Sequence, residues 1–177
     1  QGDAETAVGI MRSRKEKDPE FFFEYVLDKE GRLKSMFWCD AQSRRDYQDY
    51  GDVVVFDSTY KMNRYGMPFV PFVGVNNHRC TTVFGCAIIA DETEETYVWL
   101  LQTFLKANCQ MKPKSIITDG DAAMIRAIRS VLSDVIHRLC SWHIEKNMQR
   151  HLHYKPLDEF RSLLYYATSQ ANFEQRW

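Results

Sequence analysis

The sequence predicts an α/β fold with a mixed β-sheet, and three observations support this prediction. The short apolar run Val53–Phe56 has the character of a buried strand and ends at Asp57, with β propensity continuing to Tyr60. A second such run, Ser115–Thr118, ends at Asp119 and is followed by AAMIRAIRSVL, which has helical periodicity. Further strand patterns and a helical stretch lie between them, which predicts an antiparallel meander followed by parallel strands with crossover helices.

Composition indicates one globular domain with a substantial core, because the chain has 177 residues of which 45% are hydrophobic. The formal net charge of -1 argues against a nucleic-acid surface that covers the whole chain. The five cysteines are odd in number and form no CxxC pair, which is typical of reduced intracellular thiols. No apolar run reaches the length of a membrane span and no signal peptide is visible, so we expect a soluble protein.

The segment before the first buried run predicts a helix, a hairpin and a second short helix. Residues 4–17 are charged and helical in pattern. Residues 21–27 and 33–38 flank the turn-like sequence DKEG at 28–31, which is a hairpin signature. Residues 40–50 are polar and predict a short helix or turn that leads into the central strand.

After Asp57 the patterns continue the sheet. Residues 68–76 and 81–90 predict the second and third strands of an antiparallel meander. Residues 96–105 have helical spacing and form a crossover helix, preceded by acids at 91–95 that favour a helix N-terminus. A helix at 122–132 and a fifth strand at 135–139 complete the order.

The remaining residues, 145–177, predict two helices separated near Pro156. Their apolar positions favour docking against further protein or a second copy. We therefore expect a lead-in with a hairpin at 1–50, a core at 51–144 and the start of a helical insertion at 145–177.

The acids at the strand ends are the first candidate site. A carboxylate in a sheet interior is costly unless it faces water, a cation, a metal or a hydrogen-bond donor. On the stretch 53–60 alone, a role in a turn or in a structural ion pair explains Asp57 better than a functional site does. Asp119 ends a second strand in the same way, which predicts that the two acids share a divalent-metal site. Asp121 either contributes to that site or caps the helix that follows.

A second candidate is the CxxH motif formed by Cys140 and His143, which His137 extends. These residue types suit zinc, but structural zinc takes four protein ligands and no second pair is evident. The alternative is a packing role with Cys140 and Trp142 buried and His143 hydrogen-bonded.

Basic and aromatic side chains supply weaker candidates for contact with nucleic acid. Four side chains are placed to contact phosphate: Arg44, Arg45, Lys61 and Arg64. For the arginines the alternative is a surface charge or a pairing with Asp46 and Asp49. Four tyrosines interleaved with polar residues suit base stacking, although surface packing explains them as well: Tyr47, Tyr50, Tyr60 and Tyr65.

The order of elements matches the ribonuclease H-like fold, and local motifs carry a closer resemblance. These are FFFEY at 21–25, FWCDAQSRRDY at 37–47, GDVVVFDSTYKMNRYGMPFVPFVGVNNH at 51–78, VFGCAIIADET at 83–93, IITDGDAAMIRAI at 116–128 and HRLCSWHIEKNM at 137–148. With them the chain resembles the transposase-derived core of the plant far-red-impaired-response (far-red elongated hypocotyl) family of transcription regulators, relatives of Mutator-like element (MULE) transposases.

The resemblance implies roles for the acids. In the transposases three acids hold two metal ions, Mg²⁺ or Mn²⁺, for DNA strand cleavage and joining. Asp57 matches the first acid and Asp119 the second, while the third belongs to a later Glu-containing segment that does not occur before Trp177. Glu174 lies too early to take its place. We therefore expect a fragment with an incomplete acid set that binds magnesium weakly.

Two functions follow from the resemblance. The first is a non-catalytic core of a nuclear transcription regulator in light signalling, which serves partner binding, self-association and auxiliary contact with DNA. The second is a metal-dependent DNA transposase core. The family's zinc-chelating DNA-binding domain and its SWIM zinc finger do not occur in this chain, so sequence-specific DNA recognition is not assigned to these residues.

Overall fold

The computed structural model describes residues 2–58, 65–151 and 155–176. The chain forms two compact units, Gln1–Arg138 and Leu139–Trp177. The first contains the sheet and four helices, and the second contains three helices. None of the described helices is long and apolar enough to cross a membrane.

Seven strands and seven helices are found in the described residues. The strands are β1 Phe22–Leu27, β2 Leu33–Cys39, β3 Val53–Phe56, β4 Phe69–Val75, β5 Thr81–Ile88, β6 Ser115–Thr118 and β7 Ile136–Leu139. The helices are α1 Asp3–Lys17, α2 Ala41–Tyr50, α3 Glu94–Ala107, α4 Ala122–Val131, α5 Ser141–His151, α6 Lys155–Tyr166 and α7 Gln170–Arg176.

The strands form one mixed sheet in the order β1-β2-β5-β4-β3-β6-β7. β3, β4 and β5 make the predicted antiparallel meander, and β6 pairs in parallel with β3. The predicted α/β class and the mixed sheet are thus confirmed. The hairpin of β1 and β2 joins the same sheet, because β2 pairs with β5 through Met36 opposite Ile88.

Side-chain caps fix where three helices begin. Asp40 accepts the amide hydrogen of Ser43 at the start of α2, and Thr93 accepts that of Thr96 at the start of α3. Asp121 accepts the amide hydrogen of Met124 at the start of α4. Each cap satisfies a backbone donor that the first helical turn leaves without an internal partner.

The core lies between the sheet and helices α2 and α3, with α4 packed against α3. Phe72 of β4 stacks between Phe56 of β3 and Phe104 of α3, with ring centroids 4.8 and 4.5 Å apart. Tyr47 is buried against Phe104, and its hydroxyl donates to the carbonyl oxygen of Met111 at 2.8 Å. The interpretation of Tyr47 as a base-stacking or surface residue is therefore wrong.

β3 is shorter than the strand propensity of its sequence suggests. It ends at Phe56, so Ser58 lies outside the strand, while Thr59 and Tyr60 are outside the described residues. In the second unit, α5 ends at His151 and α6 begins at Lys155, which confirms the predicted separation of two helices near Pro156, the second residue of α6. The first turn of a helix tolerates proline, because its missing amide hydrogen would have no intrahelical partner there.

The second unit is held by a buried Leu163 and a polar cluster around Glu145. Arg161 donates to Glu145 at 2.7 Å and the Tyr165 hydroxyl donates to it at 2.9 Å, which joins α5 to α6. These two hydrogen bonds, Arg161 first, lower the pKa of the Glu145 carboxyl. Tyr166 is exposed on the surface of this unit.

Candidate functional site at the strand ends

Asp57 and Asp119 occupy equivalent positions at the ends of neighbouring strands. In the parallel pair of β3 and β6, Val53 lies opposite Ser115 and Val55 opposite Ile117. Each acid directly follows the last residue of its strand, so Asp57 and Asp119 lie at the same end of two neighbouring parallel strands. The fold therefore brings the two predicted acids to one edge of the sheet, although they are 62 positions apart in the chain.

The turn from β6 into α4 is shaped by its own acids. The Asp121 amide donates to Asp119 Oδ1 at 3.0 Å, and the Met124 amide donates to Asp121 Oδ1 at 2.8 Å. Both carboxylates thus accept hydrogen bonds from the backbone. The interpretation of Asp121 as the cap of the following helix is confirmed.

Thr118 and His137 form a pair of hydrogen bonds that hold the backbone of Asp119 at the end of β6. The buried Thr118 hydroxyl donates to the carbonyl oxygen of Asp119 at 2.9 Å and lies 2.8 Å from His137 Nε2. Because the single hydroxyl proton is used, the imidazole must donate, which assigns the tautomer with hydrogen on Nε2. His137 therefore acts on the site through Thr118, which sequence reasoning did not predict.

Glu92 is a further acid at this edge that sequence reasoning missed. It lies between β5 and α3, where its Oε1 accepts hydrogen bonds from the Ser58 hydroxyl and, at 3.4 Å, from the Tyr97 hydroxyl. Ser58 directly follows Asp57, so the loop before α3 is tied to the end of β3. Glu92 belongs to the acidic run before α3. In the sequence, the preference for negative charge at a helix N-terminus accounts for that run and so predicts no tertiary contact.

Tyr97 is a fully buried phenol among these acids. Burial raises the pKa of Tyr97 well above its ordinary value of 10.0. A hydrogen bond with Ser58 lowers this pKa, and the nearby carboxylate charges, Glu92 first among them, raise it further. The hydroxyl therefore stays protonated at neutral pH and serves as a hydrogen-bond donor.

We expect stability to depend on the protonation of His137. Burial first, and then the positive charge of Arg129, lower the pKa of His137 below its ordinary value of 6.5, against an opposing effect of Asp119. Because the unfolded chain then binds the proton more tightly, the free energy of unfolding falls as the pH drops through 6.5 toward the lowered pKa. At higher pH, the protonation of His137 no longer affects the free energy of unfolding.

Urea denaturation across this pH range and an NMR titration of the imidazole measure the effect. His137→Gln should remove this part of the pH dependence, since glutamine does not titrate. An imidazole pKa at or above 6.5 in the folded protein would contradict the prediction.

The described side chains supply at most part of the three-acid, two-metal centre that the resemblance implies. Among residues 2–58, 65–151 and 155–176, no group of three or more His, Cys, Asp or Glu side chains is placed to hold a metal ion. Asp119 and Asp121 each already use one carboxylate oxygen for a backbone amide. Weak binding of Mg²⁺ or Mn²⁺ by Asp57 and Asp119 stays a prediction.

The candidate nucleic-acid arginines lie on α2, and Arg44 contacts the residue that follows the C-terminal end of α3, opposite the end near Glu92. Arg44 reaches the backbone carbonyl of Glu20 at 3.0 Å and the Cys109 sulfur at 3.8 Å. Cys109 follows the C-terminal end of α3, whereas Glu92 precedes its N-terminal end. The helix has 14 residues and is therefore about 20 Å long.

Arg45 pairs with the Glu20 carboxylate at 2.9 Å, so the predicted pairing of these arginines with Asp46 or Asp49 is wrong. Asp46 instead bonds Gln42 and Thr82. The other two candidates, Lys61 and Arg64, lie outside the described residues.

Cys140 and His143 lie at the start of α5 in the second unit. No group of three metal-binding side chains includes them in the part of the chain that the structure describes. The alternative of a buried packing cluster is wrong for Trp142, which is 56% exposed with Lys146 Nζ 5.4 Å from its ring centroid. Cys140 and His143 are each partly buried.

Comparison with known proteins identifies the class of this domain. A model of the MULE transposase domain matches residues 53–147, more than half of the chain. FAR1-RELATED SEQUENCE 4 of Arabidopsis thaliana is 37% identical over 182 residues, covering 99% of this chain and 25% of that protein. FAR-RED IMPAIRED RESPONSE 1 of the same plant is 34% identical over 185 residues, covering 100% of this chain and 22% of that protein.

The chain belongs to the FAR1-like family of plant proteins, whose core is derived from MULE transposases. The family predicted from the local motifs is thus confirmed. The chain spans about a quarter of the length of the relatives it matches.

Proposed function

We propose that this chain is the transposase-derived core of a nuclear transcription regulator in plant light signalling, with a ribonuclease H-like fold and no strand-cleaving activity of its own. It serves as a platform for partner binding, self-association and auxiliary contact with DNA. Family membership supports the regulatory role. The observation that favours a platform over a nuclease is that Asp119 and Asp121 accept backbone hydrogen bonds in the turn before α4.

The ribonuclease H-like assignment is supported by the topology. An antiparallel meander is followed by a helix and then by a strand that pairs in parallel with the first meander strand. The edge where Asp57 and Asp119 meet is the place where that fold carries its acids.

Transcription from a reporter gene in plant cells tests the platform role, with the natural protein that carries this chain. We expect the double variant Asp57→Asn, Asp119→Asn to retain regulation, because a platform needs the shape of the edge and not its charge. Internal deletion of residues 53–138 should abolish it. Loss of regulation in the double variant, with normal folding by circular dichroism and normal nuclear accumulation, would contradict a non-catalytic role.

Self-association is supported by exposed aromatic side chains in the second unit, Trp142 and Tyr166. Exposed apolar surface of this kind favours association in water. Sedimentation velocity of the chain over a range of concentrations tests this role, and the variant Trp142→Ala, Tyr166→Ala should shift the distribution toward monomer. A wild-type chain that stays monomeric at every concentration would contradict it.

The second candidate function is a DNA transposase core, which the register of Asp57 and Asp119 favours. A strand-cleavage assay of the natural protein with Mg²⁺ or Mn²⁺ separates the two candidates. We expect no cleavage. Cleavage that disappears in Asp119→Asn would instead establish the transposase.

A further inference from the structure

The acids at the strand ends match metal ligands in sequence, yet the structure uses their oxygens for a different purpose. Asp119 and Asp121 accept two successive backbone hydrogen bonds, at 3.0 and 2.8 Å, where the chain bends from β6 into α4. Asp121 satisfies an amide of the first helical turn that otherwise has no partner, and Asp119 closes a turn on the amide two residues further along the chain. Their position in the turn therefore accounts for these two acids without a cation.

The same edge contains a second layer of hydrogen bonds. Thr118 links the carbonyl oxygen of Asp119 to the imidazole of His137, at 2.9 and 2.8 Å. This link joins the end of β6 to β7. The Asp119 backbone is thus fixed from two sides, through its side chain and through its carbonyl.

The third layer joins the end of β3 to the loop before α3. Glu92 accepts from Ser58 and from the buried Tyr97 hydroxyl. Because Tyr97 is anchored inside the core, it holds Glu92 in place, and Glu92 holds Ser58. The residue that follows Asp57 is therefore connected to the helical layer.

We propose that these side chains form a hydrogen-bonded clasp that holds the end of β3, the loop before α3 and the turn before α4 in place without a divalent cation. The clasp consists of two hydrogen-bonded clusters: Ser58, Glu92 and Tyr97 at the end of β3, and Thr118, Asp119, Asp121 and His137 at the turn before α4. The proposal rests on the proposed non-catalytic function, and it gives acids that match transposase ligands a structural role that maintains the shape of the platform.

The two uses of a carboxylate make different chemical demands. A ligand for Mg²⁺ contributes negative charge, so replacing aspartate by asparagine weakens binding strongly. A backbone hydrogen bond needs only an acceptor oxygen, which asparagine also supplies. The two residues are about equally good at a helix N-cap such as position 121, and both form the kind of turn seen at position 119. Alanine supplies neither. Asparagine and alanine variants at the same position therefore distinguish a ligand from a cap.

Thermal unfolding of the chain tests the clasp, with Asp119→Asn, Asp121→Asn and the corresponding alanine variants. We expect the asparagine variants to melt with the wild type and each alanine variant to melt about 2–4 °C lower. Millimolar Mg²⁺ should shift no melting temperature relative to NaCl of matched ionic strength. Alanine variants that melt with the wild type would overturn the proposal, whereas an alanine variant that fails to fold supports it.

Binding of Mn²⁺ to the wild-type chain, followed by electron paramagnetic resonance, provides a readout that needs no folded variant. The clasp predicts that Mn²⁺ binds at most weakly and does not change the melting temperature. A tightly bound signal that disappears in Asp119→Asn, or a rise in the wild-type melting temperature specific to divalent ions, would overturn it.

The clasp and the proposed function can be contradicted separately. Loss of reporter regulation in the double variant, without metal binding, would contradict the platform role and leave the clasp standing. Metal binding at these acids while that variant still regulates would contradict the clasp and leave the platform role standing.

Discussion

Replacing Phe72 by alanine is expected to lower the free energy of unfolding by about 3–5 kcal/mol. Phe72 is fully buried and stacks between Phe56 and Phe104, with centroid distances of 4.8 and 4.5 Å. It also meets Phe37 edge to face at 5.9 Å. One ring therefore contacts β2, β3 and α3, and truncation leaves a cavity that the surrounding rings cannot fill without leaving their own contacts.

Urea denaturation followed by circular dichroism measures this loss. Val75→Ala is the matched control, because Val75 lies on the same strand and is 58% exposed, and its truncation should change stability by less than about 0.5 kcal/mol. Equal losses in the two variants would refute the assignment of Phe72 to the centre of the core.

The predicted loss is large against the total stability of a domain, which is about 5–15 kcal/mol. In cells, a loss of this size raises the unfolded fraction and lowers protein abundance. A Phe72→Ala variant should therefore accumulate to a lower level in cells than the wild type.

The second large effect is expected for Thr118→Val, which should lower the free energy of unfolding by about 1–3 kcal/mol. Valine has nearly the shape of threonine but lacks the hydroxyl, so the Asp119 carbonyl and the His137 imidazole lose the partner that they share at 2.9 and 2.8 Å. Thr118 is buried, so water cannot readily replace that partner.

Thr118→Ser separates the hydroxyl from the methyl group. Serine keeps both hydrogen bonds and loses one methyl group, at a cost of about 0.8 kcal/mol. Denaturation should therefore rank the wild type above the serine variant and the serine variant above the valine variant. If valine proves as stabilising as serine, the hydrogen bonds at Thr118 contribute nothing and the support of Asp119 must come from elsewhere.

Local elements were predictable because their signals are local. The hairpin of β1 and β2 follows from two apolar runs around a short turn, and the meander follows from three runs at short separations. The acids at 57 and 119 were recognisable because each directly ends an apolar strand. Tyr47 was misinterpreted because α2 is polar apart from its tyrosines. No sequence pattern shows which of these side chains packs into the core.

The contacts that define the site required the tertiary structure. Ser58 and Glu92 are separated by 34 positions, and Thr118 and His137 by 19. Hydrogen bonds between such residues depend on strand register and on where each loop ends, and neither is encoded in a short pattern. For the same reason the sequence could not show that the arginines at 44 and 45, predicted to contact nucleic acid, both bind Glu20.

The sequence by itself determined the family, the α/β class and the pair of acids, because strand propensity, helical period and motif order are properties of short segments. The tertiary structure decided which groups surround those acids. It placed Glu92 against Ser58 and Tyr97, and it directed the oxygens of Asp119 and Asp121 to backbone amides. The physical reason is that a carboxylate acts as a ligand or as a cap according to the donors that the fold brings within about 3 Å of it.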